Sequence, residues 1–374
     1  MPENQRQIFF GSACNSSNLC VGSNELRPLQ VMTNVMKIDK LAIAILMTIF
    51  ISSCHQKYNN TVSQSKGERI YFVSELNSEK IKSLDKEKTI VLLTGGILEE
   101  HGPYLPIFTD GYWNEKFRDT LAKTIASRPD LNVLIFPTIP LGNSGANEVG
   151  LKYSFPGTFT VRFETLRSIF MDLATELGEQ GFKYIFVIHG HGAPNHQRAL
   201  DQAADFFNDT YDGKMVNLFG LNPVMEKWFS VQMTEEQKKE DGFSIHAGMT
   251  ETSSMLYIVP NLVDTNYKHA IPLTGNDMNN LIHIAKEPNW LGYFGSARLA
   301  NREFGKEAWN KNVKDYSNIV MNIINNKVNL DTISRFGNLM KQSPVDVMLD
   351  SLSNIEEQRR RTIQTNWLNK KRLK

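Results

Sequence analysis

Apolar and polar positions along this chain switch repeatedly between the strand period and the helix period. Three short apolar runs predict strands buried on both faces: Thr89-Ile90-Val91-Leu92-Leu93-Thr94, Val133-Leu134-Ile135-Phe136 before Pro137, and Tyr184-Ile185-Phe186-Val187-Ile188. From Phe163 to Gln180 the spacing is helical, with Leu166, Ile169, Phe170, Leu173 and Leu177 on one stripe that belongs to the core. A helical stretch after Asn195 carries Ala199, Leu200, Ala203 and Phe206. Another, Asn312 to Asn325, carries Val313, Ile319, Val320, Ile323 and Ile324. Leu256-Tyr257-Ile258-Val259 fits either a helix or a strand in the core. The charged stretch Val231 to Gly242 reads as a solvated surface loop, with a lid as the lesser alternative. No internal repeat is visible. Strands alternating with helices predict an α/β domain.

Candidate chemistry follows the predicted strands directly. Right after Thr94 comes GGILEEHGPYLPIFTD (95–110), with Glu99, His101 and Asp110 among glycines and prolines. In an open α/β sheet, ligands gather at the carboxyl ends of strands. Glu99 and His101 are two apart, so an extended backbone points both to one side. Asp110 can fold back over the bend from Pro103 to Pro106. Two carboxylates and an imidazole so placed suggest a divalent-metal site; the alternative is a polar loop with Asp110 capping a helix.

The third strand runs straight into His189-Gly190-His191-Gly192-Ala193-Pro194-Asn195. Glycines on both sides of His191 let the backbone approach a ligand closely. Spacing does not decide which of the two histidines is the ligand. A third cluster, Ser244 to Ser253, sets His246 and Glu251 five apart, before the apolar run 256–259. Their plainer readings are a hydrogen-bonded loop histidine and a carboxylate favoured at a helix N-terminus. Mixed carboxylate and imidazole donors without thiolate suit zinc or manganese.

Together these patches resemble the creatininase (creatinine amidohydrolase) family. Its E-Q-H-G-P-H-L-P pattern with a following Asp is matched by Glu99-Glu100-His101-Gly102-Pro103-Tyr104-Leu105-Pro106 and Asp110. Its N-G-H-G-G-N is matched by 189–195, and its H-A-G-x-x-E-T-S by 246–253. Ser154-Phe155-Pro156-Gly157-Thr158 resembles the family's F-P-G-T turn. Gly292-Tyr293-Phe294-Gly295-Ser296-Ala297 and Gly305 resemble its last loop and helix. The resemblance covers roughly residues 70–325.

That resemblance implies a three-layer α/β/α sandwich with a mainly parallel sheet, creatininase-like in class. It also implies two divalent metal ions per chain, zinc and/or manganese, and hydrolysis of a non-peptide amide C–N bond by metal-activated hydroxide. Matched position by position, the metal ligands are Glu99, His101, Asp110 and His191, with Asp110 bridging and Glu251 as the further carboxylate. His246 is the candidate catalytic acid. Glu100 is its rival, beside the ligands where the family more often has Gln. Ser144, in Gly142-Asn143-Ser144-Gly145, and Asn195 are expected near the substrate. The alternative for the Ser144 loop is a simple turn.

Three departures bear on the substrate. Gly192 and Ala193 stand where the creatinine enzyme has Tyr and Glu. Tyr104 replaces a common His, and Pro194 is inserted before Asn195. The expected substrate is a small cyclic amide, with weak or no turnover of creatinine. A deformylase or peptide-processing hydrolase on the same scaffold is the alternative, and a ligand-binding lipoprotein without catalysis is a third.

The N-terminus reads as an address. Lys37 and Lys40 precede an eleven-residue apolar run, Leu41 to Ile51, too short to span a bilayer but suited to a signal sequence. Ile51-Ser52-Ser53-Cys54 resembles a bacterial lipobox. The expected organisation is an extension (1–35), a lipoprotein signal (36–54), a tether (55–69), a hydrolase domain (70–330) and a helical basic tail (331–374). The protein is then exported and lipid-anchored at the cell envelope. All three cysteines (14, 20 and 54) lie at or before the lipobox, so the body has no disulfide or thiolate site.

The net charge of +1 gives no push toward nucleic acid. Arg359-Arg360-Arg361 and Lys370-Lys371-Arg372 in the tail could touch anionic lipid; a solvated helix end or a subunit contact is the plainer reading. A homo-oligomer, hexameric by the resemblance, is also expected.

Overall fold

In the computed structural model, which describes residues 69–229 and 233–372, the three apolar runs and two strands not expected from the sequence, 70–72 and 214–217, form one five-stranded sheet. Its strands are β1 (Ile70–Phe72), β2 (Thr89–Thr94), β3 (Asn132–Ile135), β4 (Tyr184–Ile188) and β5 (Lys214–Asn217), in the order β1-β3-β2-β4-β5. Every pairing is parallel. The first four helices are α1 (Ser78–Ser83), α2 (Thr109–Ala126), α3 (Phe163–Glu179) and α4 (Pro194–Thr210). They are followed by α5 (Asn222–Phe229), α6 (Glu235–Asp241), α7 (Met249–Ile258), α8 (Met278–Lys286) and α9 (Arg302–Ile324). The short α10 (Phe336–Met340) and the long α11 (Pro344–Lys370) close the chain. The expected signal sequence, Cys54 and nearly all of the expected tether lie outside the described residues. Among the described residues no helix is long and apolar enough to cross a membrane.

The three layers follow from strand alternation. Ile90, Leu92, Phe186 and Ile188 pack into one core with Phe117 and Leu121 of α2 and Val313 and Val320 of α9. Val91, Leu93, Ile185 and Val187 face the other way, against Leu166 and Phe170 of α3 and Ala199 and Ala203 of α4. Both faces are covered, which is why β2 is buried throughout and its centre, Ile90 to Leu93, is apolar rather than alternating.

The connections set the site. From β2 the chain runs through α2 on one face to β3; from β4 it runs through α4 on the other face to β5. The sheet therefore switches direction between β2 and β4. A crevice opens at the carboxyl ends of neighbouring strands where crossovers part in this way.

Several elements differ from the sequence expectation. The helix expected from Asn312 begins ten residues earlier, at Arg302, capped by Asn301, whose side chain accepts the Phe304 N–H. Its polar first turns hide the start, and Gly305 is needed there because a Cβ would sit 2.0 Å from the Ser253 carbonyl oxygen of α7. The run 256–259 ends the helix α7 rather than forming a strand. Within the supposed loop 231–242, α6 forms behind a capping box between Thr234 and Gln237. Its last residue, Asp241, is buried and accepts the N–H groups of Met249 and Ser296.

Candidate metal centre

The ends of β2 and β4 are held together before any ligand is placed. Gly95 N–H donates to the Ile188 carbonyl at 2.9 Å. Asn114, one helical turn after Asp110 on α2, reaches in beneath the crevice. Its amide donates to the carbonyls of Gly95 (3.1 Å) and Gly190 (3.2 Å) and accepts the Gly190 N–H at 3.0 Å. Sequence reasoning missed Asn114; the available signal was an Asn four residues from Asp110 on the same helix face.

Six of the expected side chains converge here. Asp110 lies in the first turn of α2, Glu251 in the first turn of α7, and Glu99 and His101 on the segment after β2. Asp110 Oδ2 is 3.0 Å from His191 Nδ1, and its other oxygen is 3.6 Å from His101 Nε2. Glu99 Oε2 is 3.2 Å from His191 Nδ1, and Glu251 Oε2 is 3.8 Å from His101 Nε2. Two compact donor sets result: Glu99, Asp110 and His191, and His101, Asp110 and Glu251. Asp110 belongs to both. A third set, Glu99, His101 and His246, lies among them.

The imidazoles are oriented by backbone carbonyls. His101 Nδ1 donates to the Glu99 carbonyl at 3.1 Å, leaving Nε2 as the donor atom toward Asp110 and Glu251. His191 Nε2 donates to the Ser144 carbonyl at 2.7 Å, leaving Nδ1 toward Asp110 and Glu99. His246 Nε2 donates to the Glu100 carbonyl at 2.5 Å. A carbonyl on the far nitrogen is the usual support of a metal-ligating histidine. Glu99 Oε2 and His101 Nε2 are buried without a hydrogen-bond partner. Donor types, orientation and orphaned atoms all fit divalent cations.

The charges tell the same story. Burial opposes protonation of His101, yet Asp110, Glu251 and Glu99 outweigh it and raise its pKa to about 10. His191 is likewise raised against its burial by Glu99 and Asp110. Burial works to raise Asp110, but these two imidazoles hold it well below the carboxylate range. Protons on the two rings occupy the role that cations fill when bound.

His189 is turned away from this cluster. Its Nε2 donates to the Leu141 carbonyl, His196 Nε2 donates to His189 Nδ1, and the Asn143 N–H donates to His196 Nδ1. Burial lowers the pKa of both rings, and both are neutral. The structure thus selects His191 over His189 at the cluster, a choice spacing left open.

The remaining expected residues are placed as follows. Glu100 is buried, with the Thr158 hydroxyl donating to its Oε2 and its Oε1 unpartnered. Burial and the neighbouring Glu99 push its pKa up to about 8. Burial lowers His246 to about 4, so it is neutral near pH 7 with its N–H committed to Glu100. Ser144 meets the cluster through its carbonyl, while its hydroxyl donates to Asn143 Oδ1. Asn195 does not join the cluster; its amide is spent on Asp350 of α11 and on Arg198. The basic tail is also tied down within the chain: Arg360 donates to Glu356 and the Tyr153 carbonyl, and Arg361 pairs with Glu164.

The chain is similar to several known proteins. A creatinine amidohydrolase from Pseudomonas putida is 25% identical over 63% of this chain and 90% of its own length. A mycofactocin precursor peptide peptidase from Mycolicibacterium smegmatis is 25% identical over 53% of this chain and 69% of its own. A solved structure named "Creatininase Mn" has a TM-score of 0.50 at 20% identity, covering 68% of this chain and 98% of that one, which shows the fold. The family model described as creatinine amidohydrolase matches residues 74–320, spanning every donor in the cluster. The chain belongs to the creatininase family.

Proposed function

We propose that this protein is a metal-dependent hydrolase that cleaves the C–N bond of a small, non-peptide amide, cyclic amides being the first class to test. The observation that carries this reading is Asp110, whose two oxygens face two different donor sets. Glu99, Asp110 and His191 would hold one divalent cation, zinc or manganese, and His101, Asp110 and Glu251 a second. When bound, such cations supply Lewis acidity that makes hydroxide available near neutral pH and polarises an amide carbonyl.

The chain's own groups supply proton movement and positioning. The leaving nitrogen must be protonated. Glu100 is the better donor for this step, because it keeps its proton near pH 7 whereas His246 is neutral with its N–H engaged. His246 then acts by holding the Glu100 carbonyl and facing Glu99.

A cleft of about 510 Å³ lies between the turn carrying Thr158 and the Arg359–Arg360 segment of α11. Thr158 lines it and touches Glu100, but no metal donor does; Asp110 and Glu251 line a second, smaller cavity with Trp113, Trp228 and Trp309. The relative named as a peptide peptidase supports a second reading, a modified-peptide substrate on the same machinery.

The test is metal analysis of purified protein, followed by a screen of lactams, cyclic ureas, formamides and creatinine. About two zinc or manganese ions per chain and turnover within the panel are expected, with little on creatinine. Folded protein that takes up no metal overturns the proposal. Metal without turnover shifts the reading to peptides. Export with a lipid on Cys54 is proposed separately, from the lipobox-like sequence. An intact mass with an unmodified chain starting at Met1 would refute it. Assembly as a hexamer is proposed on the family resemblance, to be checked by light scattering.

A further inference from the structure

We propose that helix α11, which lies beyond the family segment 74–320, positions the metal centre through Glu357. The inference rests on the metal reading above. It starts from the 142–147 loop, which serves one whole side of the cluster. The Ser144 carbonyl accepts the Nε2–H of His191 at 2.7 Å, and the Ala146 N–H donates to Glu99 Oε1 at 2.5 Å. Two of the three donors in the Glu99–Asp110–His191 set are therefore oriented by this one loop.

Ser144 performs this task in the left-handed region, at φ +60°, which a residue with a side chain adopts only when its surroundings hold it there. Glu357 supplies part of that hold, beside the Val161 carbonyl, which accepts the Asn143 amide at 2.9 Å. Glu357 Oε1 accepts the Asn143 side-chain amide at 2.8 Å and the Phe163 backbone N–H at 2.8 Å, fastening the loop to the start of α3. Asn143 in turn accepts the Ser144 hydroxyl at 3.0 Å.

The helix grips at points three and four residues apart on one face. Asp350 accepts from Asn195 at 2.7 Å, Ser353 donates to Glu148 at 2.5 Å, and Glu357 follows four residues on. Glu357 touches no donor atom itself. It is a positioning residue, acting through Asn143 and Ser144 on the tautomer and direction of His191. Loss of a group bonded directly to a ligating histidine weakens metal binding by about 10- to 100-fold, and Glu357 stands further out than that.

The experiment compares zinc affinity of the full chain, by competition with a chromophoric chelator, in wild type and in Glu357→Ala, Glu357→Gln and Arg361→Ala. Circular dichroism checks that each is folded. Glu357→Ala is expected to bind zinc more weakly, by up to about tenfold. Glu357→Gln, whose amide oxygen can accept the same two N–H groups, should restore binding. Arg361→Ala, which breaks only the outer pair with Glu164, should leave it unchanged. If Glu357→Ala does not fold, Glu357→Asp repeats the test, keeping the charge but falling one carbon short. Unchanged affinity in a folded Ala or Asp variant overturns the inference, as does a Gln variant as weak as Ala. Wild type that binds neither zinc nor manganese overturns the metal reading and this inference together.

Discussion

Asp110 Oδ2 lies 3.0 Å from His191 Nδ1, joining the first turn of α2 to the loop after β4 across the point where the sheet changes direction. Because the other oxygen of Asp110 faces His101, both donor sets depend on this one side chain. Asp110→Ala should abolish metal uptake, lowering it from about two ions per chain to nearly none. Glu251→Ala removes a donor from one set only and should leave about one. Metal analysis after dialysis separates the two outcomes. Equal losses in both variants would rule out a shared carboxylate.

Metal affinity should rise with pH. His101, raised to about 10, and His191, also raised, carry protons near neutral pH in the metal-free protein. A cation must displace those protons, so each lost proton steepens the dependence by up to about tenfold per pH unit. The window extends up to the raised pKa of His101 and closes above it. Titration calorimetry in buffers of different ionisation heat counts the released protons; no release between pH 6 and 8 contradicts the assignment.

Asn114 should be a stability residue. It is fully buried and satisfies three backbone groups at the ends of β2 and β4. Asn114→Ala leaves those groups unpaired and is expected to cost about 3 kcal/mol. Asn114→Asp keeps the shape but cannot donate to the carbonyls of Gly95 and Gly190, so it should also destabilise. A shift of the urea midpoint with an unchanged slope is the readout.

Glu100→Gln keeps size and most hydrogen bonding but cannot release a proton. Once a turned-over amide is found, kcat should fall by about a hundredfold while metal content stays at the wild-type level. A loss confined to His246→Asn, with Glu100→Gln fully active, would return the acid role to His246.

Much of the core was legible in the chain itself. The runs 90–93 and 185–188 are apolar at every position and prove buried throughout, and the stripe from Leu166 to Leu177 packs where its period placed it. The start of α9 was not legible, because the reason for Gly305 is a helix contact with Ser253 far away in sequence. The same holds for Asp241, whose partners Met249 and Ser296 come from separate segments.

Local order decided what the sequence could determine alone: strands buried on both faces, helices with one apolar stripe, and donor residues placed just after strand ends. Each depends on neighbours a few positions away. Which histidine faces the cluster, which carboxylate is shared, and what steadies the Ser144 turn are questions of long-range position. The family resemblance pointed to His191 and Asp110, but the contacts themselves form only when parallel pairing of β2 with β4 and the return of α11 bring distant segments within hydrogen-bonding distance. Side-chain direction in a glycine-rich turn is set by such partners, and no local pattern encodes them.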